Sequence, residues 1–199
     1  VAIGNCGQGF SAHGTTSVYY EDCVSFRCAS SAVCNVDLSR AVYKRCVLAE
    51  NTFEAAVYLT HDADALFEEC LIADPDPFEL IWQKQRASLA FADCVLIGNP
   101  ERALLDVQQG ALSFLNCTLL EGASLISPDS KKALVSLSMV RCLIQGFPRG
   151  GFRFPDGNTT RPRLLLDGNH YSPRFTHFLA GKALEPGAID RNAALSVLT

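Results

Sequence analysis

One short pattern returns six times along this chain, and the distance between copies constrains the fold more than any other feature. The copies are Val18–Ser25, Ala41–Leu48, Ala65–Ile72, Leu89–Leu96, Leu112–Leu119 and Leu137–Ile144. Each is centred on a cysteine: Cys23, Cys46, Cys70, Cys94, Cys117 and Cys142, separated by 23, 24, 24, 23 and 25 residues. A fixed period of this size is the mark of a solenoid, in which each repeat buries its apolar face only against its neighbours.

Within each copy the residue three before the cysteine is large and apolar (Tyr20, Tyr43, Phe67, Phe91, Phe114, Met139), and the residue five before is apolar as well. Apolar groups at alternate positions give the period of a strand. The residue just before the cysteine is usually polar (Asp22, Arg45, Glu69, Asp93, Asn116, Arg141) and reads as an outward corner between two short strands. After it, the cysteine and the residue two further on point inward. About ten residues later comes a second apolar run, Ala32–Val36, Ala55–Leu59, Phe78–Trp82 or Ala103–Val107, so each turn holds three short strands. Equivalent positions then stack at about 4.8 Å along the axis. A leucine-rich repeat has a similar period, but its Leu-x-x-Leu-x-Leu-x-x-Asn signature is absent.

The unit resembles those of the right-handed parallel β-helix, or pectin-lyase-like, family over Val18 to about Ile144. The expected fold is therefore all-β: a right-handed parallel β-helix of about six to seven turns over residues 1–171, with a less regular cap at 172–199. Val1–Gly14 reads as an incomplete first turn, with Ile3 and Cys6 matching the aromatic and cysteine columns. Gly146–Arg163 reads as an excursion, and Arg163–Tyr171 as a further turn with Asn169 in the cysteine column. Ala188–Leu198 suggests a short helix.

Composition excludes some functions. At 199 residues with 48% apolar content, this is one domain or a piece of one. A net charge of −4 gives no basic footprint for nucleic acid, and no apolar run is long enough for a membrane span. Nine cysteines invite a disulfide framework, but six of them repeat in one inward column, which favours stacked free thiols. No Cys-x-x-Cys occurs and the histidines are scattered, so neither a metal nor another cofactor is expected. Asp37 and Asp106 stand about three turns apart, too far to share a calcium ion, and Asp74–Asp76 reads as a solvated corner. The chain opens at Val1 without Met or a signal-peptide pattern, as expected of a chain trimmed from something longer.

The resemblance implies that a site, where one exists, lies on the outer face of the sheet built from the second apolar run; it is compatible with an extracellular or periplasmic compartment, and the sequence itself neither supports nor excludes secretion. Strand parity gives that face two outward columns: Ser11, Asn35, Tyr58, Trp82, Asp106, and His13, Asp37, Thr60, Lys84, Gln108. His13, Asp37 and Lys84 are the candidate catalytic residues, the first two as an acid–base pair and Lys84 to neutralise a substrate carboxylate. Asn35, Tyr58, Trp82 and Asp106 are the candidate substrate-binding residues, with Tyr58 and Trp82 as a platform on which sugar rings stack. Gln8–Gly14 is faintly similar to the Gly-His-Gly element of polygalacturonases, but the paired aspartates of inverting hydrolases have no counterpart. The Arg-x-x-Pro-x-x-Arg element of pectate lyases is absent too. Two readings stay open: a β-helix that binds or processes a polysaccharide or oligosaccharide, as a lyase or glycoside hydrolase if an enzyme, and a non-catalytic structural or adhesion module.

Overall fold

The computed structural model describes all residues except 5–6, 52–53, 75–77, 127–135, 152, 155–162, 174, 176, 180–181, 185, 189, 193 and 196–199. It is a parallel β-solenoid of about six turns. Three parallel sheets run its length, each built from one strand per turn. Sheet I holds the five-residue strands before the cysteine, such as Asp64–Glu68 and Ser88–Ala92. Sheet II holds the three-residue strands after it, such as Leu71–Ala73 and Val95–Ile97. Sheet III holds the strands of the second apolar run, among them Phe10–Ala12, Val33–Asn35, Val57–Leu59, Ile81–Gln83 and Ala103–Val107.

Register is strict. Leu89 and Phe91 pair with Ala65 and Phe67 on one side and with Leu112 and Phe114 on the other. The rings consequently form one file: Tyr20–Tyr43, Tyr43–Phe67, Phe67–Phe91 and Phe91–Phe114 lie stacked at centroid separations of 5.2, 4.7, 5.1 and 5.0 Å. Met139 continues the column, buried.

The polar residue before each cysteine is the corner. Asp22, Arg45, Glu69, Asp93, Asn116 and Arg141 all have left-handed backbone, with φ between 48° and 55°. Such a residue swings the chain from sheet I into sheet II and turns the following cysteine inward. Cys46, Cys70, Cys94, Cys117 and Cys142 are buried, and all the described cysteines are free thiols. The Cys46 N–H donates to Cys70 Sγ and the Cys70 N–H to Cys94 Sγ, each at 3.4 Å. In return Cys70 Sγ donates to the Tyr43 carbonyl at 3.3 Å and Cys94 Sγ to the Phe67 carbonyl at 3.4 Å. Asn169 takes the cysteine position in the next turn and performs the same task. Its Oδ1 accepts from the Cys142 N–H and its Nδ2 donates to the Met139 carbonyl, both at 2.8 Å.

Sheet II departs from the usual alternation. Its central residues Ser25, Leu48, Ile72, Leu96, Leu119 and Ile144 are buried, as expected. Its outward positions are apolar as well. One outward column runs Val24, Val47, Leu71, Val95, and only then Thr118. The other runs Ile3, Phe26, Ala49, Ala73, Ile97 and Leu120. Sheet I carries Arg40, Asp64, Lys44 and Glu68 on its outer face, tied by ion pairs at 3.7 and 3.9 Å, on either side of a central outward column of Tyr19, Val42, Leu66 and Ala90.

Several expectations need correction. Ile3 pairs with Phe26 in sheet II rather than with the aromatic column, so the chain enters the solenoid one strand later than the sequence match implies. Cys6 lies outside the described residues. Asp74 is buried, because its carboxylate accepts from the Asn51 backbone and side-chain N–H groups at 3.2 and 3.3 Å. Asp76 lies outside the described residues. No α-helix occurs among the described residues of 188–198; Ala194–Leu195 instead pairs with His170–Tyr171 and adds a strand to sheet II. Asp190 locks this tail down by accepting from Asn169 Nδ2 and Tyr171 Oη, both at 2.6 Å.

Two outcomes follow from the packing. Phe91→Ala opens a cavity in mid-file and should cost about 3–5 kcal/mol in chemical denaturation, whereas Asp93→Ala at the exposed corner should cost about 1 kcal/mol or less. Equal losses would contradict the inward and outward assignment. Burial, more than any other cause, pushes the Cys46 thiol up to about 11. A thiol favoured neutral in the fold supplies stability that is complete below pH 9 and lost as pH rises towards 11, because the unfolded chain ionises first. The urea midpoint should therefore fall over that interval, and Cys46→Ala should flatten the decline.

Candidate functional site

Sheet III positions the candidate residues. In Val57–Leu59 and Ile81–Gln83 the central side chain points out and its neighbours are buried. This places Tyr58 and Trp82 in register on adjacent strands, with Asp106 next in line. Lys84 follows Trp82 at the next outward position. Its ammonium lies 4.5 Å from the Trp82 ring centre and 5.4 Å from that of Tyr58. The two rings meet edge to face at 6.3 Å. The Trp82 indole N–H donates to Glu79 Oε2 at 3.0 Å, and Phe78 stands edge-on to the indole at 5.8 Å. The Trp82 ring is thus fixed from three sides and half-buried.

Asn35 is not in this column. Cys34 pairs with Ser11 and Tyr58, and Asn35 faces inward, fully buried, where its Oδ1 accepts from Tyr43 Oη at 3.0 Å. The cause is a single residue. Arg27 and Glu50 occupy equivalent corners 23 residues apart, but Val33 pairs with Val57, 24 apart, so the later turn has one more residue before sheet III. A one-residue difference reverses the facing of every side chain beyond it when equivalents are counted at constant step. Asp37 is displaced for the same reason. Val36, not Asp37, stands between His13 and Thr60. Asp37 is a corner residue with φ of 65°, and its Oδ2 accepts from the Gly14 N–H at 3.1 Å.

His13, Asp37 and Lys84 therefore do not converge. His13 and Lys84 lie in one column with Val36 and Thr60 between them, about three strand spacings or roughly 14 Å apart. Tyr58, Trp82, Lys84 and Asp106 do come together. The sequence reading missed Glu79 and Phe78, although the Phe78–Trp82 run already placed a carboxylate three residues before the only Trp. It also missed Cys34. Burial, and then the Glu54 charge, push the Cys34 thiol up to about 11, so it is a packed group rather than a nucleophile.

The arrangement is suited to recognition rather than proton transfer. It offers an aromatic surface, a cation above it and carboxylates at its edge. No group of three or more His, Cys, Asp or Glu side chains able to hold a metal ion occurs among the described residues. No helix among them is long and apolar enough to cross a membrane. Compared with known proteins, the chain matches no family model, no curated protein and no solved structure.

Proposed function

We propose that the protein is a non-catalytic β-solenoid that binds an acidic polysaccharide over Tyr58, Trp82 and Lys84. The observation that carries this reading is the Lys84 ammonium above two rings held in register on neighbouring turns. A sugar ring has an apolar C–H face that stacks on an indole. A uronic-acid carboxylate on that ring would meet Lys84, releasing the ammonium from its cation–π contact into an ion pair. Successive sugars of a linear polymer lying along the solenoid axis would meet successive turns, with Asp106 next in register after Trp82.

The chain's single Trp makes the test direct. Titration with acidic oligosaccharides should change Trp82 fluorescence, neutral ones should do so less, and added salt should weaken the effect. By calorimetry, Trp82→Ala should weaken binding about five- to tenfold, the scale of one lost stacking contact. Lys84→Met should erase the preference for acidic sugars, and His13→Ala should change neither. Absence of binding to any saccharide of the panel, or binding indifferent to Trp82→Ala, would sink the reading.

A further inference from the structure

Trp82 carries opposite charges on two of its sides. The Lys84 ammonium lies over its face, 4.5 Å from the ring centre, and the Glu79 carboxylate lies at its edge, where Oε2 accepts from the indole N–H at 3.0 Å. Lys84 and Glu79 do not pair with each other, and neither forms an ion pair with any other of the described residues. Other surface cations differ: Arg27, Arg40, Arg45 and Arg86 each hold a carboxylate of an adjacent turn. Charges left unpaired on a recognition surface act on whatever binds there, attracting one class of ligand and rejecting another.

We propose that Glu79 sets the specificity of the saccharide patch by rejecting sulfated sugars, so that the ligand class is a carboxylated, unsulfated polysaccharide. The inference rests on the reading of Tyr58, Trp82 and Lys84 as a patch for acidic sugars. Lys84 alone attracts any anion, and a sulfated sugar carries more negative charge than a plain uronic acid. Discrimination therefore needs a second, opposing charge, and Glu79 supplies it. Glu79 stands three residues before Trp82, at the entry to the strand Ile81–Gln83. Its bond to the indole and the edge-on Phe78 ring at 5.8 Å fix the carboxylate and the ring relative to one another. A uronic acid stacked on the indole can turn its one carboxylate towards Lys84 and its hydroxyls towards Glu79, which accepts hydrogen bonds and donates none when ionised. A sugar that bears sulfate as well brings a second anionic group to the same ring and sets it against Glu79, with no donor to offset the water it loses. Glu79, Trp82 and Lys84 are all half-buried, so salt screens this repulsion less than it would between fully exposed groups.

Calorimetry of the full chain tests the proposal with two pairs of probes: oligogalacturonate and unsulfated chondroitin oligosaccharide, each before and after chemical O-sulfation. The protein should bind a plain oligosaccharide more tightly than its sulfated form, although the sulfated form is the more highly charged. Glu79→Gln keeps an oxygen to accept from the indole N–H and removes the charge. The preference for the plain form should then shrink about three- to fivefold, the scale of one partly exposed charge contact. Glu79→Ala removes the acceptor too and should loosen the ring, seen as a fall in Trp82 fluorescence anisotropy of the free protein that Glu79→Gln does not share. Circular dichroism of both variants reports that the fold persists. Trp82-dependent binding in which sulfated forms bind as tightly as plain ones, or a preference unchanged by Glu79→Gln, would overturn the proposal and leave the saccharide patch standing. Binding of neither plain oligosaccharide would overturn the patch and this specificity together.

Discussion

Everything in this solenoid depends on two backbone groups at one corner. The left-handed residue before each cysteine leaves the cysteine N–H and the carbonyl three residues earlier pointing inward, away from the sheet ladders. Buried and unpaired, each would cost about 1–3 kcal/mol. The side chain at the cysteine position of the next turn serves both. Cys70 accepts from the Cys46 N–H and donates to the Tyr43 carbonyl. Asn169 does the same for Cys142 and Met139 through shorter bonds of 2.8 Å. Asp190 then receives the second Asn169 N–H. The requirement is for a small, inward side chain that both accepts and donates, and the thiol meets it with the least polarity. That is why the column is cysteine without a disulfide in it.

The corner also explains its own composition. Left-handed backbone costs about 1–2 kcal/mol for a residue with a Cβ, and Asn and Asp tolerate it best. Asp22, Asp93 and Asn116 fit that preference, whereas Arg45, Glu69 and Arg141 do not. What the corner demands is an outward side chain, since glycine would satisfy the backbone alone but leave the column bare. Arg45 bonds both Asp22 and Glu21 of the preceding turn at 2.7 Å, and Asn116 Nδ2 bonds Asp93 at 3.1 Å. These exposed contacts add little stability each. They do fix register turn by turn, on the outside, as the ring file does on the inside.

The inward half of the fold was legible because stacking makes inward positions alike. The aromatic and cysteine columns, the outward corner and the place of Asn169 can all be read from one repeated unit. The outward half was legible only where loop lengths hold constant. The extra residue between Glu50 and Val57 is invisible to a composition-based reading, since neither loop has a signature, yet it moves Asn35 from the surface to the core and Asp37 from a sheet to a corner. Ile3 misled for a related reason: a lone apolar residue near Cys6 matches the aromatic column by spacing, but only pairing shows that it belongs with Phe26. The Tyr58–Trp82 pair survived because the 24-residue steps are regular there.

Because the interior is fixed by the corner and the ring file, only outward side chains are free to differ, and the three sheets have used that freedom differently. Sheet I flanks a central outward column of Tyr19, Val42, Leu66 and Ala90 with charges of both signs. Sheet III builds an aromatic patch under a lysine, from residues whose neighbours are buried and rigid. Sheet II keeps apolar groups on both faces. The inner row already closes the core, so the outer row gains nothing from folding and exposes apolar surface to water at about 25 cal/mol for each Å² that a partner could cover. The charged corners on either side pair along the axis instead, Arg27 with Glu50 and Arg45 with Asp22, and so set the register of one turn on the next.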